Sequence, residues 1–185
     1  TLIATVELPP DARIYYEESK AKADKIIIKN IKPIKLHECW FDVEFCRLVV
    51  QKNGCALEYV KEQTEEICTY AVKHNGLALK YVKEQTEEIC KSAIQQDGQA
   101  LQYVKEQTEA ICKLAMKWNG WALQYVVEQT DTICKIAVQQ NGLALKYVKE
   151  QTEEICKLAV QHDGQALQYV KEQTEEICTL AVQYD

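Results

Sequence analysis

The stretch that decides the fold runs from Leu77 to Gly98 and reads LALKYVKEQTEEICKSAIQQDG. It recurs, with small changes, every 22 residues from about Asp42 to the end of the chain. Self-similarity at a fixed period of roughly 20–50 residues is the signature of repeat proteins. The period is marked by seven cysteines and by all six glycines: Cys46, Cys68, Cys90, Cys112, Cys134, Cys156, Cys178, Gly54, Gly76, Gly98, Gly120, Gly142 and Gly164.

Each repeat is predicted to contain two short helices. In the quoted unit the first helix covers roughly residues 78–85, because Ala78, Leu79 and Val82 share one apolar helical face. A competing interpretation is one continuous helix per repeat, since apolar residues also alternate by three and four as in a coiled coil. The two-helix interpretation is favoured because Thr86 and Gln96 would otherwise lie in the buried stripe.

The second helix of the unit has clear start and stop signals. Thr86 can cap its first turn, and the two glutamates that follow favour the positive end of the helix dipole. Its apolar face, formed by residues 89, 90, 93 and 94, ends at Asp97 and Gly98. Glycine can adopt the left-handed conformation that terminates a helix, and an aspartate before it suits the same turn.

One such unit cannot bury enough apolar surface to fold alone, so neighbouring units must stack. The predicted fold class is all-α: an α-solenoid of 22-residue helix-turn-helix repeats with a small N-terminal β cap. We expect the cap in residues 1–35 and about six and a half repeats in residues 36–185. Asp185 falls just before an expected glycine, so an open apolar face is expected there, left by truncation or covered by a partner.

The N-terminal segment departs from the repeat. Short strands are predicted at residues 5–8, 13–16 and 25–28, separated by Pro9-Pro10-Asp11 and a lysine-rich turn. Residues 36–40 would form a degenerate first helix, and Asp42 replaces threonine as the cap of the next one.

The repeat phrase NGLALKYVKEQTEEIC, from Asn75 to Cys90, resembles repeat proteins of unknown function that are abundant in mimivirus-like giant viruses. The resemblance covers about residues 42–185, and the leader segments 8–15 and 22–26 also look like the start of such proteins. It implies a viral protein in the host cytoplasm or the virion, and it brings no known catalytic residues.

The net charge is −6, and the acidic excess lies in the repeats. Residues 1–40 carry 7 basic and 6 acidic side chains, whereas the remainder carries 15 and 22. Lysines alternate with glutamates instead of forming a basic face, so no nucleic-acid partner is expected. No apolar run is long enough for a membrane span and no signal peptide is visible, so an intracellular protein with reduced cysteines and no membrane partner is expected.

The cysteines are predicted to be structural. Equivalent residues of stacked helices lie about 8–10 Å apart, whereas a disulfide needs Cα atoms within about 7 Å. A free cysteine on an apolar face behaves as a small hydrophobic residue. Cys39 and Cys55 lie outside the periodic set, and the cluster His37-Glu38-Cys39 lacks the second pair of ligands that a zinc site needs. No metal is expected.

No catalytic constellation is apparent. His74 and His162 are four repeats apart, about 35–40 Å at the spacing of packed helices. There is no phosphate-binding loop and no nucleophile with a nearby histidine, and the carboxylates recur in every unit as capping and surface groups. We therefore expect no enzyme activity, no cofactor and no small-molecule substrate.

The repeats differ most at the turn between one unit and the next, which we call the turn edge. One turn carries Trp118 and Trp121 around Asn119-Gly120, and Val127 follows where the other units have lysine. The two rings could pack on each other or on adjacent repeats, or they could be a contact site. The candidate partner-binding residues are Trp118, Trp121, His74, Leu77, Val127, Leu143 and His162.

The leading hypothesis is a non-enzymatic scaffold or adaptor whose turn edge contacts another protein, viral or host. The alternative is a structural or virion assembly protein that stacks on itself end to end, through the open face after Ala181 and Val182. RNA reading at one base per repeat is disfavoured by the acidic balance.

Overall fold

The computed structural model of the chain describes residues 2–7, 14–17, 20–23, 27–33 and 39–184, with side chains described from Trp40 onward. Within residues 39–184, α-helices alternate with short 3-10 helices. The α-helices are α1 (Val43–Lys52), α2 (Glu65–His74), α3 (Glu87–Gln96), α4 (Glu109–Trp118), α5 (Asp131–Gln140), α6 (Glu153–His162) and α7 (Glu175–Gln183). The 3-10 helices are Cys39–Phe41, Gly54–Tyr59, Gly76–Tyr81, Gly98–Tyr103, Gly120–Tyr125, Gly142–Tyr147 and Gly164–Tyr169. The predicted helical repeat fold is confirmed.

Four short strands precede the helices: β1 (Leu2–Glu7), β2 (Ile14–Glu17), β3 (Lys20–Ala23) and β4 (Ile27–Pro33). β1 pairs antiparallel with β4, and β2 pairs antiparallel with β3. The three predicted strands overlap β1, β2 and β4, whereas β3 occupies part of the predicted lysine-rich turn. The turn at residues 9–11 and most of the degenerate first helix lie outside the described residues. That these strands cap the repeats stays a prediction.

Each α-helix begins as predicted from its capping residue. In α3 the hydroxyl of Thr86 accepts a hydrogen bond from the backbone N–H of Ile89 at 3.3 Å. In α1 the carboxylate of Asp42 accepts from the N–H of Phe45 at 2.8 Å. These bonds satisfy donors that the first turn of a helix leaves unpaired. Capping by Thr86 and Asp42 is therefore confirmed.

The first helix of each repeat is a 3-10 helix and is shorter than predicted. In the unit that starts at Gly76 it ends at Tyr81, and Val82 has an extended backbone with φ −73° and ψ 119°. The side chain of Asn75 caps this helix by accepting from the N–H of Leu77 at 3.0 Å. The prediction of a helix over residues 78–85 is thus wrong in its end. The N–H of Val82 still bonds to the carbonyl of Leu79, but the carbonyl of Tyr81 and the N–H of Lys83 bond to Gln63 of the preceding repeat.

The glycines have a different role from the predicted one. Of the glycines from Gly54 to Gly142, none has the left-handed φ expected of a helix-terminating residue. Each instead begins a 3-10 helix at a point where two repeats nearly touch. A Cβ on Gly120 would lie 2.5 Å from the carbonyl oxygen of Ala137 in the next repeat. Only a residue without a side chain fits there, so the constraint is close approach and not backbone conformation.

The core is continuous through the repeats and is built from equivalent positions. In the unit around α3, Leu79, Ile89, Ala93 and Ile94 are at most 2% exposed. Successive α-helices pack on one another in one layer, and successive 3-10 helices do so in a second layer. Every repeat therefore completes the interior of its neighbour, as the predicted stacking requires.

A glutamine in each repeat joins its backbone to the next one. The Nε2 of Gln107 donates to the carbonyl of Tyr125 at 2.9 Å, and its Oε1 accepts from the N–H of Val127 at 3.1 Å. Both partners belong to the following repeat. The same bonds are made by Gln63, Gln85, Gln129 and Gln151. This amide replaces the helical hydrogen bonds that the segment after each 3-10 helix lacks.

Replacing Gly120 with alanine tests the close approach between repeats. The added methyl group would force the backbone of Ala137 away, so we expect the substitution to lower the free energy of unfolding by about 1–3 kcal/mol. Urea unfolding followed by far-UV circular dichroism measures this. The exposed Gln139→Ala is the control and should change stability by less than about 0.5 kcal/mol; an equal effect of both would contradict the contact.

Replacing Gln107 with alanine tests the junction amide. The change leaves the N–H of Val127 and the carbonyl of Tyr125 without their side-chain partner, and we expect a loss of about 1–3 kcal/mol. Gln173→Ala is the matched control, because Gln173 is exposed and bonds only within its own repeat, to the carbonyl of Leu167 at 3.2 Å. The thermal midpoints of the two variants should differ clearly, with Gln107→Ala the lower.

Candidate functional site

Trp118 is the last residue of α4 and lies at the turn edge with its side chain 57% exposed. The carboxamide of Asn119 accepts from the N–H of Trp121 at 3.0 Å and so starts the following 3-10 helix. This cap fixes the direction in which the chain leaves α4. The turn therefore holds an exposed indole on a well-defined backbone.

The two tryptophans have different environments. Trp121 is partly buried and packs edge-on against Tyr147 of the next repeat, with ring centroids 5.8 Å apart and an interplanar angle of 74°. Trp118 makes no ring contact with any residue in the range 40–184. Packing on an adjacent repeat thus accounts for Trp121, whereas Trp118 is presented to solvent.

In three other repeats, the residue equivalent to Trp118 bonds to the preceding repeat. The equivalent Gln96 and Gln140 each accept, through Oε1, the N–H of a glycine in the preceding repeat at 2.6 Å. The ring of His162 does the same for Gly142 at 3.2 Å. An indole has a donor and no acceptor. Trp118 therefore cannot make this bond to Gly98, so its presence costs the array one contact between repeats.

The other candidates of the turn edge occupy, in other repeats, the positions equivalent to Trp118 and Trp121. His74 stacks on Tyr70, with ring centroids 6.1 Å apart, and its Nδ1 lies 2.9 Å from the carbonyl of Tyr70. Leu77 and Leu143 are the second residues of their 3-10 helices and are partly buried. These residues share an edge with Trp118 but lie in other repeats, so the structure does not gather the candidates into one cluster.

Val127 lies at the opposite edge of the repeat. It follows a 3-10 helix and precedes α5, whereas Trp118 ends α4, and a ten-residue α-helix separates its two ends by about 15 Å. In other units the lysine at this position bonds the preceding repeat, as Lys83 Nζ does to the carbonyl of Lys61 at 2.7 Å. Val127 cannot donate such a bond and is 69% exposed. It does not belong to the Trp118 site.

A row of ion pairs that was not predicted from the sequence lies on the outer face of the α-helices. Lys135 reaches Glu154 of the next repeat at 2.7 Å, and Lys157 reaches Glu176 at 2.8 Å. The row is broken in the middle of the array, because Ala110 and Thr132 stand where those repeats have glutamate. Aligning the repeats by column would have found both substitutions, but it would not have shown that the glutamates pair across repeats.

Ala110, Leu114 and Trp118 lie along one line of α4, because residues four apart share a helix face. We call this line the α4 ridge. Ala110 is exposed, Leu114 is partly buried and Trp118 is exposed. Of these three residues, only Trp118 was a candidate predicted from the sequence. The α4 ridge extends the candidate site from the turn edge along the outer face of the helix.

Six of the seven periodic cysteines are buried, and Cys178 is partly exposed. Cys68, Cys90, Cys112, Cys134 and Cys156 are free and at most 4% exposed. In each of these five repeats the thiol donates to the junction glutamine, as Cys134 does to the Oε1 of Gln129 at 3.7 Å. Burial raises the pKa of Cys68 and of Cys134 to about 11, and the carboxylates of Glu65 and Asp131 add to the effect. These thiols are therefore protonated at neutral pH and poorly nucleophilic.

Metal binding and membrane insertion each require a particular arrangement of residues in the described part of the chain. No group of three or more histidine, cysteine, aspartate or glutamate side chains there is arranged to hold a metal ion. No helix among these residues is long and apolar enough to cross a membrane.

Comparison with known proteins gives one match. The model of a domain of unknown function, DUF4116, matches residues 42–86 and again residues 64–109. The offset of the two matches corresponds to one 22-residue repeat. No curated protein and no solved structure matches the chain significantly. The match agrees with a repeat protein of unknown function.

Alkylation with iodoacetamide tests the assignment of the thiols. At neutral pH we expect the partly exposed Cys55 and Cys178 to react well before Cys68 and Cys134, because the latter are buried and their raised pKa keeps them protonated. Labelling of Cys68 and Cys134 should rise only as the pH approaches about 11. Mass spectrometry of tryptic peptides gives the rates. Urea-unfolded protein is the control, and equal rates for Cys55 and Cys134 in the folded protein would contradict the assignment.

Proposed function

We propose that this chain is a non-enzymatic scaffold or adaptor, an α-solenoid that binds another protein through the turn edge at Trp118. The observation that carries the proposal is the placement of this one side chain. Trp118 is more than half exposed, it cannot make the inter-repeat bond of its equivalents, and its ring packs on no described aromatic residue. No hydrogen bond or ring contact of its side chain within the described residues replaces the lost bond.

The repeat architecture supports a binding role. Repeat arrays combine a constant core with variable surface positions, and their partners contact the variable positions. Tryptophan is enriched among the residues that dominate protein interfaces, because its large ring buries much area at little entropic cost. The turn edge carries histidine, glutamine or tryptophan at equivalent sites, whereas the buried alanines beneath it do not change.

The absence of an enzymatic role is part of the proposal. The periodic thiols are protonated and engaged with glutamine, and the first-turn glutamates recur in nearly every repeat as surface groups. The acidic net charge argues against a nucleic-acid partner. On the resemblance described above, we infer that the partner is a viral or host protein and that the chain acts in the host cytoplasm or virion of a giant virus. The N-terminal strands would cap the first repeat.

Replacing Trp118 with glutamine tests the proposal without risking the fold. A glutamine side chain at this position can accept the N–H of Gly98 as the equivalent glutamines do for their glycines, so stability should hold or rise by about 1 kcal/mol. Recovery of partner proteins from infected cells by the tagged chain should fall strongly. Quantitative mass spectrometry of the captured proteins, together with the thermal midpoint, measures both effects.

Gln140→Ala is the matched control, because it changes the same position one repeat later and should leave partner recovery intact. Undiminished recovery with Trp118→Gln would end the proposal. Light scattering over a range of concentrations tests the alternative of end-to-end stacking through Ala181 and Val182. Growth of the mass with concentration in both the native chain and Trp118→Gln would favour that alternative.

A further inference from the structure

We propose that the α4 ridge docks an acidic amphipathic segment of a partner protein, with the apolar side of that segment on Leu114 and Trp118. This rests on the proposed function, since Trp118 is the shared anchor, and it adds the chemistry of the partner. The middle repeats lack carboxylates that other repeats have, two lysines remain there, and the ridge has the length of a short helix.

The ion-pair row is open at both borders of α4. Glu154 pairs with Lys135 of the preceding repeat. By the same register, a glutamate at position 110 would face Lys91. A glutamate at position 132 would face Lys113. Lys91 instead binds Glu87 and Glu88 of its own helix, at 3.0 and 3.2 Å. These two borders lack the carboxylates that cover the outer face elsewhere.

The remaining charges make α4 unlike its neighbours. Glu109 is its one acidic residue, against Lys113 and Lys117, so its formal charge is +1. By the same count its neighbours α3 and α5 are negative and neutral, α2, α6 and α7 are negative, and α1 at the start of the array is also +1. Lys113 is paired only with Glu109, at 2.8 Å, and Lys117 makes no ion pair with any residue in the range 40–184. A lysine ammonium has three hydrogen-bond donors, so Lys113 and Lys117 can each donate to a carboxylate of a partner protein.

The α4 ridge suits a short helical segment. Residues 110 to 118 span about 12 Å at the rise of an α-helix. This is about two turns, the length over which an amphipathic helix presents apolar residues three and four apart. Lys113 and Lys117 flank the ridge on the side of α5, so acidic residues beside the apolar stripe of the segment would meet them.

The surroundings favour a local acidic segment over an extended anionic surface. The helices on both sides begin with acidic residues, Glu87 and Glu88 on one side and Asp131 on the other, and the whole chain is at −6. A membrane or nucleic acid with a continuous negative charge would meet these carboxylates as well as the lysines. A segment two turns long is confined to the part of the surface where the glutamates are missing.

The test begins with selection from a phage-displayed library of random linear peptides on the immobilised full chain, with counter-selection on Trp118→Gln. We expect the enriched peptides to be net negative, with apolar residues three and four apart. Enrichment of neutral or basic peptides, or none that depends on Trp118, overturns the proposal.

The affinity of one enriched peptide for variants of the full chain is then measured by fluorescence anisotropy. Ala110→Glu should restore the pair with Lys91, keep the fold and weaken binding at least about tenfold, because it places a like charge on the ridge. Lys117→Glu should weaken binding about 2–5-fold at low salt and less at high salt. Glu154→Ala removes an outer carboxylate two repeats away and is the control, which should bind as the native chain does.

The outcomes separate this inference from the proposed function. If Trp118→Gln abolishes recovery of the cellular partner while Ala110→Glu and Lys117→Glu do not, the docking role stands and the acidic chemistry is wrong. Binding to phosphatidylserine vesicles that is lost with Trp118→Gln assigns the ridge to a membrane and overturns the proposal. Self-association of the chain that is seen by sedimentation velocity and lost with Trp118→Gln assigns the ridge to a second copy of the chain. That result also overturns the proposal.

Discussion

The contact between each glycine and the carbonyl of an alanine in the next repeat sets the geometry of the whole array. A Cβ on Gly54, Gly120 or Gly142 would lie 2.5 Å from that oxygen, so the backbones meet with no side chain between them. This closeness brings the next backbone within reach of the junction glutamine, and it seals the alanines from solvent. The approach is looser at Gly98, where a Cβ would lie 3.4 Å from the carbonyl oxygen of Ala115 and 2.7 Å from the Cβ of Asn119.

The same constraint decides where the repeats can differ. Four unusual residues occur within one span of the array: Ala110, Trp118, Val127 and Thr132. Each stands where other repeats make a polar contact with a neighbouring repeat. The residues equivalent to Ala110 and Thr132 pair with a lysine, those equivalent to Trp118 accept from a glycine N–H, and those equivalent to Val127 donate to a backbone carbonyl. Core positions in this span stay apolar and buried. Single polar contacts between neighbouring repeats are therefore missing in this span, whereas its glycines and buried alanines are retained.

Much of the repeat could be predicted from the sequence, because its signals are local. The period, the threonine cap and the buried cysteine face depend on residues within one unit. The end of the first helix did not follow, since Ala78, Leu79 and Val82 fit an α-helical face equally well and the end is decided by Gln63 of the preceding repeat. The role of glycine was missed for the same reason: close approach depends on which backbone lies opposite.

The candidate site was predictable in part. Trp118 was visible as the one tryptophan at a variable position that elsewhere holds histidine, glutamine, lysine or tyrosine, and it is exposed. Ala110 and Thr132 were equally visible, but the reason that they matter depends on ion pairs between helices that sequence alone does not align. Val127 was grouped with the tryptophans because it is close to them in sequence, whereas a full helix length separates the two edges of a repeat.

The junction amide also gives the array a direction. The Nε2 and Oε1 atoms of each bridging glutamine both bind the repeat that follows. Each boundary with such a glutamine therefore has the same donors and acceptors on its two sides. A block of 22 residues can therefore be duplicated, deleted or moved as a cassette whose two ends already match their new neighbours. The length of such a protein and the location of its distinctive unit can then change independently during evolution or by engineering.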